Sequence, residues 1–324
     1  MKSRRGISNA KYGYIFSIPF IVAFLIFNLY PTIYTAIIGF TDLKGLGKVD
    51  FQFLEDPFAN FKLILNNPSF RTSLTNTARI WIVNFIPQIG LALLLTAWFT
   101  SRGSRLAGQG FFKVVFYMPN IITAATIAIL FNSLFQYPMS PVNDLIQRLG
   151  IVDEPYNFLI KKNVARYIVA FIQFWMWYGY TMLILISGVL GISPEIYEAA
   201  ECDGANSVQM FFRVTIPNLK TILLYVLVTS LIGGLNMFDI PKLFMNGGPD
   251  SATLVTNLFI YNQAFSGSYM YNRASAASMI MFAIIAFFSS ILFFMMRDKD
   301  AIASRKARKQ MLKDYKKSMK EAKS

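Results

Sequence analysis

Six strongly apolar stretches of this chain run without a charged residue: Tyr12–Thr41, Ile80–Ser101, Val114–Asn143, Tyr167–Pro194, Thr221–Phe238 and Ala274–Met296. A helix needs roughly 20 apolar residues to cross hydrocarbon, and each stretch approaches or exceeds that length. The pattern predicts an all-α, polytopic membrane protein of about six transmembrane helices, near residues 12–40, 79–100, 112–136, 166–191, 215–239 and 273–296. Pro19, Pro87 and Pro119 fall inside or near the ends of these spans, where neighbouring helices can re-satisfy the freed carbonyls. The membrane domain then covers 12–296, between an N-terminal segment, 1–11, and a basic tail, 297–324.

Composition agrees with the bilayer as solvent. Hydrophobic residues make up 55% of the chain and charged residues 15%, against about 25% charged in ordinary soluble domains. Lys and Arg set the orientation. Lys2, Arg4, Arg5 and Lys11, then Arg102, Arg105 and Lys113, then Arg213 and Lys220, and finally the run from Arg297 to Lys323 all fall on one side of a six-span topology. The positive-inside rule makes that side, with both termini, cytoplasmic. The net charge of +14 is read as this insertion bias plus contact with anionic lipid; no nucleic-acid motif accompanies it. The first apolar run, 30 residues long, exceeds the roughly 7–15 residues of a signal-peptide core, so a retained first helix is expected. A single cysteine, Cys202, excludes an internal disulfide framework.

Several chemistries are missing. There is no His, which removes imidazole acid–base work and the usual His-containing metal sites. Neither a G-x-x-x-x-G-K-[ST] phosphate loop nor a G-x-S-x-G elbow occurs. The central parts of the spans carry almost no ionisable residue, with Arg79 and Asp239 expected near an outer edge. A non-catalytic chain with no cofactor and no metal is expected. A self-contained secondary carrier or channel remains a rival, though such carriers commonly have more helices in two repeats.

The segment after the fourth span breaks the basic pattern of the inner face. Residues 193–217 carry Glu195, Glu198, Glu201 and Asp203 against Arg213. Ser193 and Pro194 suit an N-cap and first helical position. Ile196, Ala199 and Ala200 make an apolar strip at helical spacing. Asp203-Gly204 should end that helix. A second short helix should begin near Asn206 or Ser207, presenting Val208, Phe211 and Phe212 before Pro217 opens the fifth span. Such an element must pack on something, either a partner or the chain's own spans.

Glu198-Ala199-Ala200, Asp203-Gly204-Ala205, Phe211, Ile216 and Pro217 resemble the EAA loop of ABC importer permeases over about twenty residues. The resemblance implies a MetI-like permease fold and a cytoplasmic coupling helix that inserts into an ATPase subunit, with Glu198, Ala199, Ala200, Asp203 and Gly204 as its coupling positions. Phe238-Asp239-Ile240, Gly247-Gly248-Pro249, Thr253, Tyr261 and Phe265 are similar to the outer loop of MalF-type carbohydrate permeases. So are Asn60-Phe61, Asn67-Pro68, Phe70 and Asn76-Thr77 before the second span, and Pro119 in the third. The 247–249 turn would then lie near the docking site of an external solute-binding protein. Asn143 falls at the family's Gly-x-x-Asn position, but Pro141-Val142 replaces part of that motif.

The resemblance implies a bacterial-type plasma-membrane subunit acting by ATP-driven alternating access. Its partners would be a second permease, ATPase subunits, the binding protein, lipid and a sugar, with no nucleic acid. A non-sugar solute such as a phosphorylated polyol is the alternative. Sugars bind by aromatic stacking and amide hydrogen bonds, which singles out Trp175, Trp177, Tyr178 and Tyr180 on the fourth span and Asn236 and Phe238 on the fifth. Asn84, Gln88 and Asn132 are secondary candidates. The same residue types also anchor spans at interfaces and stitch helices together.

Overall fold

The structure is a computed structural model that describes residues 10–101, 107–267, 269–296, 307–308 and 310–312. The basic residues Lys2, Arg4, Arg5, Arg102 and Arg105 and nearly all of the 297–324 tail lie outside the described residues. Among the described residues four helices are long and apolar enough to cross a membrane alone: Tyr12–Ile38, Pro68–Thr100, Lys162–Leu190 and Tyr271–Met296. Two bent pairs, Gln109–Ile121 with Ala124–Phe135 and Ser207–Asn218 with Lys220–Leu235, bring the number to six if each pair is counted as one span. We call these spans 1 to 6 in chain order. No strand occurs among the described residues, only an isolated bridge between Thr41 and Phe53.

The chain divides into two compact units, Met1–Asn76 with Leu254–Ile284, and Thr77–Thr253 with Ile285–Ser324. In the first, span 1 widens into a π-turn at Leu25–Leu29 just before Pro31. A proline ring collides with the carbonyl four residues earlier, and a widened turn gives that carbonyl room. Most of span 1 is exposed. Its end is fixed by Asn60, whose amide donates to the carbonyls of Gly39 at 3.0 Å and Thr41 at 2.9 Å. The Asn60 oxygen in turn accepts from Asn272 at 3.3 Å. Asn67 caps span 2 by accepting from the amides of Ser69 and Phe70, with Pro68 at the first helical position, where its missing N–H costs nothing. Span 2 therefore starts at Pro68, not near residue 79 as the charge gaps suggested. Its first turns carry Ser73, Asn76 and Thr77, all buried, and Asn76 donates to the Leu254 carbonyl at 3.1 Å. Arg71 and Arg79 lie in these same turns, so a charge-free run could begin only at Ile80.

The second unit is organised on span 4. Gly179 is there for space: a Cβ would run into the Phe116 carbonyl and lie 2.9 Å from Tyr117 Cα, so only glycine lets span 3 approach this closely. Around that crossing Ala92, Leu95, Phe99, Tyr178, Met182, Leu185, Ile186 and Val226 form a buried cluster. Span 3 was expected as one helix over 112–136 and instead turns by 92°. Ile122 is extended, and Thr123 restarts the helix by accepting from the Thr126 amide. Span 5 was expected over 215–239; its continuous helix is Lys220–Leu235, bent 71° from the preceding Ser207–Asn218 segment. Pro87 sits inside span 2 without ending it. Asn143 is buried, donating to the Pro138 carbonyl and accepting from the Tyr156 amide at 2.9 Å, and so closes the 136–161 loop despite Pro141-Val142.

Candidate functional site

Three places in the second unit hold the residues singled out by sequence. The first is the loop after span 4. Pro194–Cys202 is helical, with Pro194 at its first position and Asp203 as its C-cap. Gly204 follows at φ +77, and the Ala205 amide donates back to the Ala200 carbonyl at 3.0 Å. This closes the helix in the left-handed manner that glycine permits. Asn206 and Gln209 then form a reciprocal capping box that starts the next helix at Ser207.

The face expected to be apolar is not the one that packs inward. Tyr197 is buried among Val189 and Leu219, with Ile192, Met210, Val214 and Ile222 around it. Its hydroxyl lies 3.2 Å from Thr215 Oγ1. Below it, Gly188 leaves room for Leu219 and Ile222; a Cβ there would meet Leu219 Cδ2 at 2.8 Å. Ile196, Glu198, Ala199, Asp203 and Gly204 stay exposed, and Ala200 is half-buried. The loop is thus held by one aromatic at its base and presents an acidic, small-residue face outward. Val208 and Phe212 are exposed too, while Phe211 is half-buried.

The second place is a cavity of about 350 Å³ bordered chiefly by spans 2, 4 and 5. Trp177, Tyr180, Asn236 and Phe238 line it, as do Asn84 and Gln88. Gln88 donates to Thr181 at 2.9 Å, which holds one amide at the wall. Trp175 and Tyr178 lie elsewhere on span 4. Trp175 packs edge-on to Phe131, with centroids 5.7 Å apart, and Tyr178 stacks on Phe174 at 5.6 Å in the core. Asn132 is exposed and outside the lining. Sequence reasoning missed Trp81, Gln173, Thr181, Thr229, Ser230 and Asp239. Helical spacing carried the signal: 173, 177, 180, 181 and 184 form one face of span 4, and 81, 84 and 88 one face of span 2. Grouping Trp175 to Tyr180 by residue type mixed two faces.

The third place is the turn after span 5. Asn246 and Gly247 adopt φ +47 and +85, and Asp250 and Ser251 also lie in the left-handed region. Thr253 ties the turn from within, its hydroxyl donating to the Gly248 carbonyl at 2.6 Å and its amide to the Gly247 carbonyl at 3.3 Å. Arg166 on span 4 donates to the Ala252 carbonyl at 2.9 Å. Gly247 is buried and Gly248 and Pro249 half-buried, so the exposed rim is Asn246, Asp250 and Ser251.

Residues 63–306 match the family described as binding-protein-dependent transport system inner membrane component. The chain belongs to this family. The permease is 30% identical over 274 residues, 84% of each chain, to the arabinooligosaccharides transport system permease protein AraP of Bacillus subtilis. It is 29% identical to the lactose transport system permease protein LacF of Rhizobium radiobacter, covering 89% of this chain and 94% of that one. Among solved structures, the crystal structure of a bacterial ABC transporter involved in import of the acidic polysaccharide alginate aligns with a TM-score of 0.72. That alignment covers 90% of this chain and 96% of the other at 22% identity, which establishes a shared fold. The permease is a multi-pass membrane protein, and its spans agree with the inner-membrane family to which it belongs.

Proposed function

We propose that this permease forms part of an ATP-driven importer for neutral oligosaccharides. It pairs with a second permease, receives solute from an external binding protein, and is driven by ATPase subunits docked on residues 193–217, with both termini cytoplasmic. The observation that carries the solute class is the cavity lining. Indole and phenol rings (Trp81, Trp177, Tyr180) stand beside amides and hydroxyls (Asn84, Gln88, Gln173, Thr229, Ser230, Asn236), the pairing that takes a sugar's apolar face and its hydroxyls together. The lining holds one carboxylate, Asp239, and no cationic side chain. A uronate or phosphate entering beside Asp239 would meet like charge without compensation. The relatives named for arabinooligosaccharides and lactose fit this reading, whereas the acidic cargo of the alginate transporter does not.

Coupling follows from the loop. Its base is fixed by Tyr197 to the ends of spans 4 and 5, so a push on the exposed Glu198–Gly204 face moves those spans as a lever. The test is ATP-dependent uptake by the purified complex in proteoliposomes with its binding protein. Gly204→Pro is incompatible with φ +77, since proline fixes φ near about −65°, and Glu198→Lys reverses charge on the docking face. Both variants should insert normally and lose uptake. Normal uptake in both would remove the coupling role. Equal uptake of neutral and uronate oligomers would remove the neutral-solute assignment, and ATP-independent transport by the isolated chain would remove the importer reading itself.

A further inference from the structure

Trp81 lies in the cavity wall opposite the last turn of span 5, where Gly233 and Gly234 are adjacent. The two glycines differ. Nothing approaches a Cβ placed on Gly233 within 4 Å. A Cβ on Gly234 would fall on the Trp81 indole, overlapping Cδ1 and lying 2.5 Å from Nε1 and 2.8 Å from Cγ. Gly234 is helical, so its missing side chain serves space and not backbone conformation. It makes a notch, and the indole fills it. Phe85 stacks on the indole, with centroids 5.4 Å apart at 23°.

The indole N–H inside this notch is buried and has no acceptor within the protein. A buried donor without an acceptor is unfavourable, which the ring's packing into the notch offsets. The closed arrangement is therefore tight in shape but poor in hydrogen bonding. Any movement that parts spans 2 and 5 forfeits packing and gives the N–H access to water or to a solute hydroxyl. A side chain with these opposed preferences suits two positions better than a continuum.

We propose that Trp81 is a latch that closes the passage between spans 2 and 5 at the end nearer the 246–253 turn. It seats in the Gly234 notch when that end is shut and turns its N–H toward the solute when it opens. This rests on the reading of the cavity as the solute passage. It names the residue that must release for anything larger than the cavity to enter.

The test uses the purified complex in proteoliposomes loaded with radiolabelled sucrose, without ATP and without binding protein. Trp81→Ala should raise passive sucrose efflux about tenfold or more, equivalent to roughly 1.4 kcal/mol off the barrier, while Trp81→Phe, which keeps a ring in the notch, stays near the parent rate. A purely structural Trp81 would lower assembly without adding a leak, and unchanged efflux from a fully assembled Trp81→Ala complex overturns the proposal. Should that variant fail to assemble, Gly234→Ala decides, because its Cβ would fall on the indole and keep it out of the notch while Trp81 itself is retained. Passive sucrose efflux should rise in Gly234→Ala and stay at the parent rate in Gly233→Ala, whose Cβ meets nothing within 4 Å. Unchanged efflux from an assembled Gly234→Ala complex overturns it. A complex that imports no sugar yet leaks through Trp81→Ala supports the latch and removes the sugar assignment instead.

Discussion

Two glycine-containing turns of the second unit, one after span 4 and one after span 5, are built on opposite plans. At 203–204 the chain reverses through a single left-handed glycine with open space around it, and the flanking helix shows its acids and alanines to the outside. Among the described residues of that helix, Tyr197 is the one buried. At 246–253 four consecutive or near-consecutive left-handed residues are tied from inside by Thr253, from below by Arg166, and along the rim by Lys242, which donates to Asn246 at 2.9 Å. The first is a surface held at one point, suited to transmitting a push. The second is a surface whose own hydrogen bonds fix its shape, suited to being recognised. The difference teaches that glycine in a loop does not by itself mean mobility; what the neighbouring polar groups do with the freed backbone decides it.

The sharpest way to break that comparison is to remove the single anchor. Tyr197→Ala deletes a buried aromatic, a change that costs about 3–5 kcal/mol in packed interiors. Here the loss falls on the attachment of the loop to spans 4 and 5. ATP-driven uptake should drop to background while the complex still hydrolyses ATP, because the exposed face proposed to meet the ATPase is untouched. Measuring ATPase activity and uptake on the same proteoliposomes checks this. Retained coupling would show that the lever is held by something besides Tyr197.

The knotted turn should respond less, because its ties are several. Arg166→Met removes a charge-assisted bond to the Ala252 carbonyl, worth about 1.5–3 kcal/mol at most, and leaves Thr253 and Lys242 in place. The concentration of binding protein giving half-maximal uptake should rise, by well under the roughly 150-fold that about 3 kcal/mol would give at about 1.4 kcal/mol per tenfold, because the other ties remain. The maximal rate should hold. A fall in maximal rate with unchanged half-saturation would assign Arg166 to span 4 and not to the turn.

Much of this was legible beforehand, and the gaps have physical causes. Charge-free runs located the six spans because hydrocarbon excludes charge. They began at Ile80 although the helix starts at Pro68, because Arg71 and Arg79 sit in its first turns beside the buried Ser73, Asn76 and Thr77. They also hid the bends in spans 3 and 5, which apolar residues populate on both sides of the break. The helix–Gly–helix form of 193–217 could be read from Pro194, Gly204 and Asn206 because caps are local. Which face of it packs could not, since Ile196 and Tyr197 differ by one position and only the fold tells that Tyr197 turns inward. The cavity was half visible: Trp177, Tyr180, Asn236 and Phe238 line it, but Trp81, two residues from Arg79, reads as an interfacial anchor until Gly234 is seen against it.

The smallest predicted effect separates packing from hydrogen bonding at the Tyr197 anchor. The Tyr197 hydroxyl shares a 3.2 Å hydrogen bond with Thr215 Oγ1, and the Thr215 hydroxyl also reaches the Met210 carbonyl at 3.3 Å. Tyr197→Phe removes the phenol oxygen but leaves the ring among Val189, Leu219 and Val214, and the Thr215 hydroxyl retains the Met210 carbonyl as an acceptor. One neutral hydrogen bond is worth about 0.5–1.5 kcal/mol net, and the loop should remain seated. Uptake within about twofold of the parent, equivalent to less than ~0.5 kcal/mol of barrier, is the expected result in the same coupled assay. A loss approaching that of Tyr197→Ala would mean that the hydroxyl, and not the buried ring, transmits the push from the acidic face to span 5.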